Sequence, residues 1–183
     1  MITLHITPIT LPTINRHCSK CNKKMPFYCS EKFRLNANGQ QVDIWLIYKC
    51  AKCDTTWKLT LFRGIRPDSL PAELFYKLTN NDAALARQYA FDRQLQAGCD
   101  VDYSGVEYKV EGLGTPYLNT PLDIRITSEY YFDLKLSVLL AQILRKSVNN
   151  VRKLADAGLI TTSLDCNVMK YRIRADLDVT VLG

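Results

Sequence analysis

The chain has 183 residues, of which 47% are hydrophobic and 23% are charged, and its formal net charge is +6. This length suits one or two small domains, and the composition is that of a globular protein rather than a disordered one. The apolar runs are too short for a transmembrane helix, and the first 17 residues lack the basic region, continuous apolar core and cleavage site of a signal peptide. The sequence therefore predicts a cytoplasmic protein.

The positive charge is concentrated at the two ends of the chain. Residues 1–66 contain 11 basic and 3 acidic residues, residues 67–131 contain 5 and 10, and residues 132–183 contain 8 and 5. Two basic segments therefore flank an acidic one. This distribution indicates either that the ends bind an anionic partner or that oppositely charged segments of the chain attract one another.

Two pairs of cysteines near the start of the chain share one spacing. Cys18 and Cys21 form the first pair, and Cys50 and Cys53 form the second. Two intervening residues let both sulfurs turn toward one ion, and two such pairs complete a tetrahedron. Paired cysteines of a cytoplasmic protein are more often metal ligands than disulfides. The pattern predicts a structural Zn²⁺ site, because four thiolates leave no coordination position open for a substrate.

Two alternatives to this site remain open at the sequence level. One pair could act as a redox centre, although both pairs lie at the ends of predicted strands rather than before a helix. His17 could also replace one of the sulfurs. The lysines near the pairs are expected to compensate part of the cluster's negative charge, and they are Lys20, Lys23, Lys24, Lys49 and Lys52. The remaining cysteines are expected to be small buried hydrophobic residues, and they are Cys29, Cys99 and Cys166.

The segment around the second cysteine pair alternates between apolar and polar side chains. Residues 27–35, 42–48 and 55–62 each follow this period of two, and Asn38-Gly39 supplies a turn between the first two segments. The pattern predicts three strands, of which the first two form a hairpin. A hairpin between two cysteine pairs, followed by a third strand, resembles a zinc ribbon. We expect such a module, with a three-stranded antiparallel sheet, over residues 1–66.

The acidic segment is predicted to be a connector of helices and a strand over residues 67–130. Residues 67–78 are predicted to start with turns at Pro67 and Pro71 and to continue as a short helix. The other predicted parts are a helix over 80–98, a loop-rich stretch over 99–117 and a strand over 122–128. Asn80 or Asn81 can cap the second helix, and Gly98 can end it.

The last segment begins with two predicted helices. The first has apolar residues at helical spacing, and they are Leu136, Leu139, Leu140, Ile143 and Leu144. Asp133 can cap this helix, Ser147 can cap the next one, and Gly158 suits the position after its end. The apolar face of the second helix is predicted to contain Val148, Val151, Leu154 and Ala155. Short strands are predicted over 159–163, 170–174 and 177–182.

A set of basic and amide side chains accompanies the second helix. Five of them have the spacing i, i+1, i+4, i+7 and i+8, and they are Arg145, Lys146, Asn149, Arg152 and Lys153. In continuous helical geometry these five would share one face. Such a face can bind the phosphates of a nucleic acid. The alternative, that it is an ordinary solvated helix surface, stays open.

Two resemblances extend this interpretation. Residues 131–183, with a helix, a tight turn, a basic helix and a small sheet, resemble the alpha-L RNA-binding domain of a ribosomal protein, pseudouridine synthases and tyrosyl-tRNA synthetases. This resemblance implies contact with structured RNA through Arg145, Lys146, Asn149, Asn150, Arg152 and Lys153. The whole chain resembles a bacterial zinc-ribbon family of unknown function, domain-of-unknown-function family 1062, which supplies no established activity.

The sequence as a whole predicts an α+β protein that contains structural zinc and is not an enzyme. Its two histidines, His5 and His17, both lie near the start, so no histidine base is available from the rest of the chain. No GxSxG, HExxH or P-loop motif is present. We expect binding of structured RNA, ribosomal or transfer RNA, through the C-terminal basic helix. The alternative is an adaptor that binds another protein and uses the zinc ribbon as scaffold.

Overall fold

The computed structural model describes residues 1–112, 121–174 and 176–182. Their fold is mixed α+β with more strand than helix. The strands are β1 (Ile2–Pro8), β2 (Thr13–Cys18), β3 (Lys23–Asn38), β4 (Gln41–Cys50), β5 (Thr56–Ile65), β6 (Asp100–Asp102), β7 (Tyr108–Glu111), β8 (Leu122–Ser128), β9 (Ile160–Thr162) and β10 (Leu177–Val181). The helices are α1 (Ala72–Thr79), α2 (Ala83–Ala90), α3 (Leu136–Ile143) and α4 (Val148–Asp156). None of the helices in these residues is long and apolar enough to cross a membrane.

The chain forms two compact units. The central unit contains residues 11–105, and the split unit contains residues 1–10 together with 106–183. This division differs from the three segments predicted from sequence patterns, with boundaries after residues 66 and 130. The reason is strand pairing, because β1 pairs with β7 and β8 and thereby joins the start of the chain to its second half.

The central unit is built on a five-stranded sheet with the order β5-β4-β3-β2-β6, in which all neighbours are antiparallel. The three strands predicted from alternation are present as β3, β4 and β5. Gly39 lies in the turn between β3 and β4 with φ of +59°, which glycine adopts without a steric penalty. The buried residues of β4 include Val42, Ile44, Leu46 and Tyr48, as the period of two predicts.

Strand β3 contains a bulge that preserves its alternation. Cys29 pairs with Tyr48 and Lys32 pairs with Ile47, so two residues of β3 have no counterpart on β4. Because the insertion has an even number of residues, Cys29 and Phe33 stay on the same buried face of the sheet.

Helices α1 and α2 pack on that face of β3. Their buried residues are Leu78, Leu85, Ala86 and Ala90, which share one apolar cluster with the inner residues of the sheet. The prediction of a single helix over 80–98 was wrong, because α2 ends at Ala90 and turns follow. The predicted caps were also wrong. Asp82 caps α2 by accepting a hydrogen bond from the Leu85 N–H, while Asn81 takes the left-handed position after α1.

The split unit contains the second five-stranded sheet, with the order β7-β1-β8-β10-β9. β1 and β8 are parallel, and the other neighbours are antiparallel. The predicted strand over 122–128 is confirmed as β8. The predicted loop over 99–117 contains the short strands β6 and β7 in its described part, and residues 113–117 lie outside the described residues.

The two C-terminal helices begin and end largely as their sequence predicts. The Ser147 hydroxyl caps α4 by accepting from the Asn150 N–H at 3.2 Å, and Gly158 follows the helix with φ of +71°. Asp133 does not cap α3, because the cap residue is Lys135. The Asp133 carboxylate pairs with Arg172 instead. Val148 is 37% exposed, so the buried face of α4 is narrower than predicted. Residues 170–174 form a single bridge at Arg172 rather than a strand.

Candidate metal centre and basic helix surface

The four cysteines of the two pairs come together at the end of the central sheet. Their sulfur atoms all lie within 4.8 Å of one another. The distance between Cys18 Sγ and Cys53 Sγ is 3.5 Å, and that between Cys21 Sγ and Cys50 Sγ is 3.9 Å. A tetrahedron with Zn–S bonds of about 2.3 Å has sulfurs about 3.8 Å apart, whereas a disulfide requires about 2.05 Å. The two Sγ–Sγ distances match the tetrahedral value, and no pair of the four sulfurs exceeds 4.8 Å, so the four cysteines could hold a zinc ion.

Strand β3 brings the two pairs together. Cys18 ends β2 and pairs with Lys23 of β3, and Cys50 ends β4 and pairs with Phe27 of the same strand. The second cysteine of each pair lies in the turn that follows its strand. A site assembled from residues 18–53 thus depends on the hairpin register rather than on chain proximity.

The two cysteine loops share a local pattern. They read Cys-Ser-Lys-Cys-Asn and Cys-Ala-Lys-Cys-Asp, and the residue after the second cysteine is left-handed in both. Asn22 has φ of +50° and Asp54 has φ of +58°. Asn and Asp are the side chains that tolerate this conformation best after glycine. The Tyr28 hydroxyl also donates a hydrogen bond of 2.8 Å to the Asp54 carboxylate. Sequence reasoning did not use this repeat.

Two of the four cysteines are buried in the core, and the other two lie nearer the surface. Cys18 is 1% exposed and Cys50 is 0% exposed, and both belong to the apolar cluster of the central unit, while Cys21 and Cys53 are half-buried. Four protein sulfurs fill a tetrahedron, and this arrangement is typical of structural rather than catalytic metal sites.

The protonation of the thiols is uneven. Hydrogen bonds from the hydroxyl and the backbone N–H of Thr55 lower the pKa of Cys53 to about 6. Hydrogen bonding with Cys53 and loss of solvation raise the pKa of Cys21 to about 12. At neutral pH the metal-free cluster therefore favours thiolate at Cys53, and a metal ion that binds there would displace the proton of the Cys21 thiol.

The residues left open by the sequence lie as follows. Within the described residues, the one group that could hold a metal contains the four cysteines without His17. Cys29 is buried as expected, whereas Cys99 and Cys166 are only partly buried. Lys24 forms an ion pair of 2.6 Å with Asp100, so its charge is already matched. The guanidinium of Arg16 lies 4.1 Å from the centre of the Trp57 ring.

The second predicted site surrounds the turn between α3 and α4. All six of its residues are exposed, and they are Arg145, Lys146, Asn149, Asn150, Arg152 and Lys153. None of the four cations forms a salt bridge within the part of the chain that the structure describes. We call these six residues the basic helix surface.

The continuous helical stripe predicted from their spacing is interrupted. α3 ends at Ile143, Arg145 is left-handed with φ of +50°, and Ser147 starts α4. Two hydrogen bonds close the turn, from the Arg145 N–H to the Gln142 carbonyl and from the Lys146 N–H to the Ala141 carbonyl. This pair of bonds is the Schellman pattern of a helix end. Arg145 and Lys146 therefore lie in the turn before α4 and do not continue a face of that helix.

A shallow hollow lies where the turn meets the helix. It has a volume of about 190 Å³ and is lined by Lys146, Asn150, Lys153 and Leu154. Two ammonium groups and an amide can donate charge-assisted hydrogen bonds to one anionic group such as a phosphate. The interruption of the helix thus still leaves Lys146 and Lys153 at the same hollow.

Comparisons with known proteins place the chain in a family without assigning an activity. The model of the family described as "Protein of unknown function (DUF1062)" matches residues 35–165, which is more than half of the chain. The matched range includes the second cysteine pair and the whole basic helix surface. Comparison with curated proteins and comparison with solved structures each found no significant match.

Proposed function

We propose that this chain, which belongs to the DUF1062 family, is a non-enzymatic protein that binds structured RNA through the basic helix surface and uses zinc as a structural element. The zinc would be held by Cys18, Cys21, Cys50 and Cys53. The RNA class we infer is folded RNA such as ribosomal or transfer RNA, which presents phosphates at fixed positions.

The exposure of unpaired cations on a rigid turn and helix is the observation that supports RNA binding. Arg152 and Lys153 project from α4, while Arg145 and Lys146 occupy the closed turn before it. A helix surface that served only intramolecular attraction would have its cations paired with the acidic residues of the chain. Free cations on a fixed backbone bind phosphates with little loss of backbone entropy, and each contact releases counterions.

The zinc site supports the fold of the central unit in this proposal. Its sulfurs hold the ends of β2 and β4 at the apolar cluster, and they leave no ligand position for water or substrate. For this reason we assign the metal no catalytic role.

The test is binding of a short RNA hairpin at several salt concentrations. For the wild type we expect log K to fall linearly with log salt, by about 0.7 to 0.9 per phosphate contact. Arg152→Glu with Lys153→Glu is expected to abolish detectable binding at moderate salt. Arg63→Glu with Lys170→Glu changes the net charge equally at exposed positions outside the basic helix surface and should retain most of the affinity.

Folding and partner controls accompany this measurement. The Arg152→Glu, Lys153→Glu variant should keep the wild-type far-ultraviolet circular dichroism and melting temperature, since both side chains are exposed. Absence of hairpin binding by the wild type at low salt would contradict the proposal. Recovery from cells of one defined protein that RNase treatment does not release would favour the adaptor alternative.

A further inference from the structure

The face of the central sheet that points away from α1 and α2 carries cations and aromatic rings, of which four are exposed and two, Trp45 and Lys49, are half-buried. The inner residues of β3, β4 and β5 lie in the apolar cluster, so the residues that alternate with them face outward. We call the following residues the outer sheet face: Tyr28, Lys32, Arg34, Trp45, Lys49 and Lys58.

Strand register places these residues in three adjacent rows. Arg34 lies beside Trp45 in the first row, Lys32 and Lys58 flank Ile47 in the second, and Tyr28 lies beside Lys49 in the third. Trp45 and Lys49 are four residues apart on one strand, which separates the outer rows by about 13 Å. Cations and rings thus alternate over a continuous strip.

The charges of this strip are available to a ligand. Within the described residues Lys32, Arg34, Lys49 and Lys58 form no salt bridge. Two acidic side chains lie at the ends of the strip. Asp43 accepts a hydrogen bond of 2.7 Å from the Gly64 N–H, and Asp54 accepts one of 2.8 Å from the Tyr28 hydroxyl, so they offset only part of the four positive charges. The strip therefore presents an excess of positive charge to solvent.

Its rings are placed among those cations. Trp45 is only half-buried although it stands on the solvent side of the sheet, and the Lys58 ammonium lies 4.5 Å from the centre of its ring. Tyr28 is 39% exposed. An aromatic ring on a flat sheet can stack with an unpaired base of any sequence, while neighbouring cations bind the backbone.

We propose that the outer sheet face binds single-stranded nucleic acid, with an unpaired base stacked on Trp45 and phosphates on Lys32, Arg34, Lys49 and Lys58. Alternating phosphates and bases complement an alternating strip of cations and rings. An acidic peptide would use the charges but has no planar group for Trp45. This site is distinct from the basic helix surface, and the inference does not rest on the function proposed above.

The test is fluorescence anisotropy of a labelled, unstructured oligouridylate with the full zinc-loaded chain. Trp45→Leu is expected to weaken binding at least fivefold, the lower end of the loss that follows removal of one stacked base. Lys32→Gln with Lys58→Gln removes two phosphate contacts and should reduce the slope of log K against log salt by about 1.4. Lys135→Gln with Lys170→Gln, at two exposed lysines of the split unit, is the matched charge control and should change neither affinity nor slope appreciably.

The variants also separate this site from the basic helix surface. Arg152→Glu with Lys153→Glu should leave oligouridylate binding within about twofold of the wild type. Should that variant abolish the binding while Trp45→Leu leaves it unchanged, the inference is overturned. It is equally overturned if oligoglutamate displaces the oligouridylate at equal concentration, or if the wild type is a dimer that Trp45→Leu dissociates. Because Trp45→Leu could unfold the sheet, the two-glutamine variant provides an independent measurement.

Discussion

Arg145 holds an unfavourable backbone conformation in the turn before α4. Its φ is +50°, in a Schellman turn whose equivalent position after α4 is occupied by Gly158. An L-residue in this region costs about 1 kcal/mol or more relative to glycine. The chain thus has an arginine where glycine would be more stable. Under the proposed function, the charge of Arg145 compensates for this cost by binding RNA.

Arg145→Gly is therefore expected to change stability and RNA affinity in opposite directions. The free energy of unfolding should rise by about 0.5 to 1 kcal/mol, because relief of the steric penalty exceeds the extra entropy of glycine in the unfolded chain. The affinity for the RNA hairpin should fall. Urea denaturation and hairpin titration measure the two effects. Arg145→Lys keeps the charge and the strained conformation, so it should be close to the wild type in both; a stability gain in that variant would refute this account.

Asn81 combines two local roles in the central unit. Its backbone is left-handed with φ of +54°, and its side-chain oxygen accepts a hydrogen bond of 2.7 Å from the Phe33 N–H, just after the bulge of β3. One side chain thus joins the end of α1 to the irregular part of the sheet. Asn80, one residue earlier, is exposed and bonds only within its own helix end.

Substitution of Asn81 can separate these two roles. Asn81→Gly keeps the backbone conformation but leaves the Phe33 N–H without its acceptor, which should cost about 1 kcal/mol of unfolding free energy. Asn81→Ala also adds the left-handed penalty and should cost about 2 kcal/mol. Asn80→Ala should stay within about 0.5 kcal/mol of the wild type. Thermal and urea denaturation provide the values, and equal losses for both Asn81 variants would show that the backbone role is absent.

At the scale of elements, each cysteine loop follows the end of a strand, and a metal ion bound by both loops would hold the ends of β2 and β4 together. The apolar cluster of the central unit includes Cys18 and Cys50, so loss of the metal would leave two sulfurs without their ligand bond against that cluster. A closed four-sulfur site in a small domain contributes folding free energy on the order of 10 kcal/mol. The central unit should therefore depend on its metal for folding.

Metal removal is expected to unfold the central unit. The purified chain should contain one zinc ion, and a strong chelator should release it together with loss of the β-sheet circular dichroism and a lower melting temperature. Cys50→Ser should reduce the bound zinc in the same way, whereas Cys166→Ser, a half-buried cysteine outside the cluster, should retain one ion per chain. A metal-free chain with unchanged melting temperature would exclude a structural role.

Some elements could be predicted from the sequence because their information is local. The alternation of β3 and β4, the turn at Gly39 and the Ser147 cap lie within a few residues of the structures they specify. β1 could not be found in this way, since its partners β7 and β8 begin more than 100 residues later. The predicted second helix continues to residue 98 because residues 91–97 include several helix formers. In the structure the Asp92 carboxylate accepts hydrogen bonds from the Gln94 and Leu95 N–H groups and forms a turn there instead.

The candidate sites also differ in whether the sequence information that specifies them is local. Cysteine spacing identified all four clustered sulfurs, because two residues between ligands is a local geometric requirement. The ion pair between Lys24 and Asp100 joins β3 to β6, and no sequence pattern connects them. The outer sheet face was present in the sequence as the other half of the alternation, since Arg34, Trp45 and Lys58 each precede or follow a predicted inner residue. The apolar half of the alternation predicts the buried core but not this face.

At the scale of the whole molecule, the charge distribution of the sequence does not follow the compact units. The acidic segment over 67–131 contributes residues 67–105 to the central unit and 106–131 to the split unit. Within the described chain, two of its acidic residues form ion pairs with the N-terminal basic segment, in the pairs Lys24–Asp100 and Arg66–Asp68. Toward the C-terminal segment the pairing is reversed, because Arg125 of the acidic segment pairs with Asp176 and Asp178. Attraction between segments therefore uses only part of the positive charge, and the basic helix surface and the outer sheet face keep theirs.

The arrangement of the split unit predicts which fragments of the chain fold alone. Residues 131–183, the segment that resembles an alpha-L domain, contain β9 and β10 but lack β8, which lies between β10 and β1 in the sheet. β8 buries Leu122, Ile124 and Ile126. Without β8, one edge of β10 has no hydrogen-bonded neighbour. The apolar residues of α3 also lose part of the core that the sheet provides.

We expect the fragment of residues 131–183 to be unfolded in isolation, with poorly dispersed amide signals in its ¹H–¹⁵N spectrum. The fragment of residues 11–105 with zinc should give a dispersed spectrum, because its five strands and two helices form a closed set of contacts. Joining residues 1–10 and 106–183 through a short flexible linker restores β1, β7 and β8 and should recover the fold of the split unit. A dispersed spectrum for 131–183 alone would instead show that the helical hairpin and its two strands are an autonomous module, and that the sheet strands β1, β7 and β8 were added to a domain already stable without them.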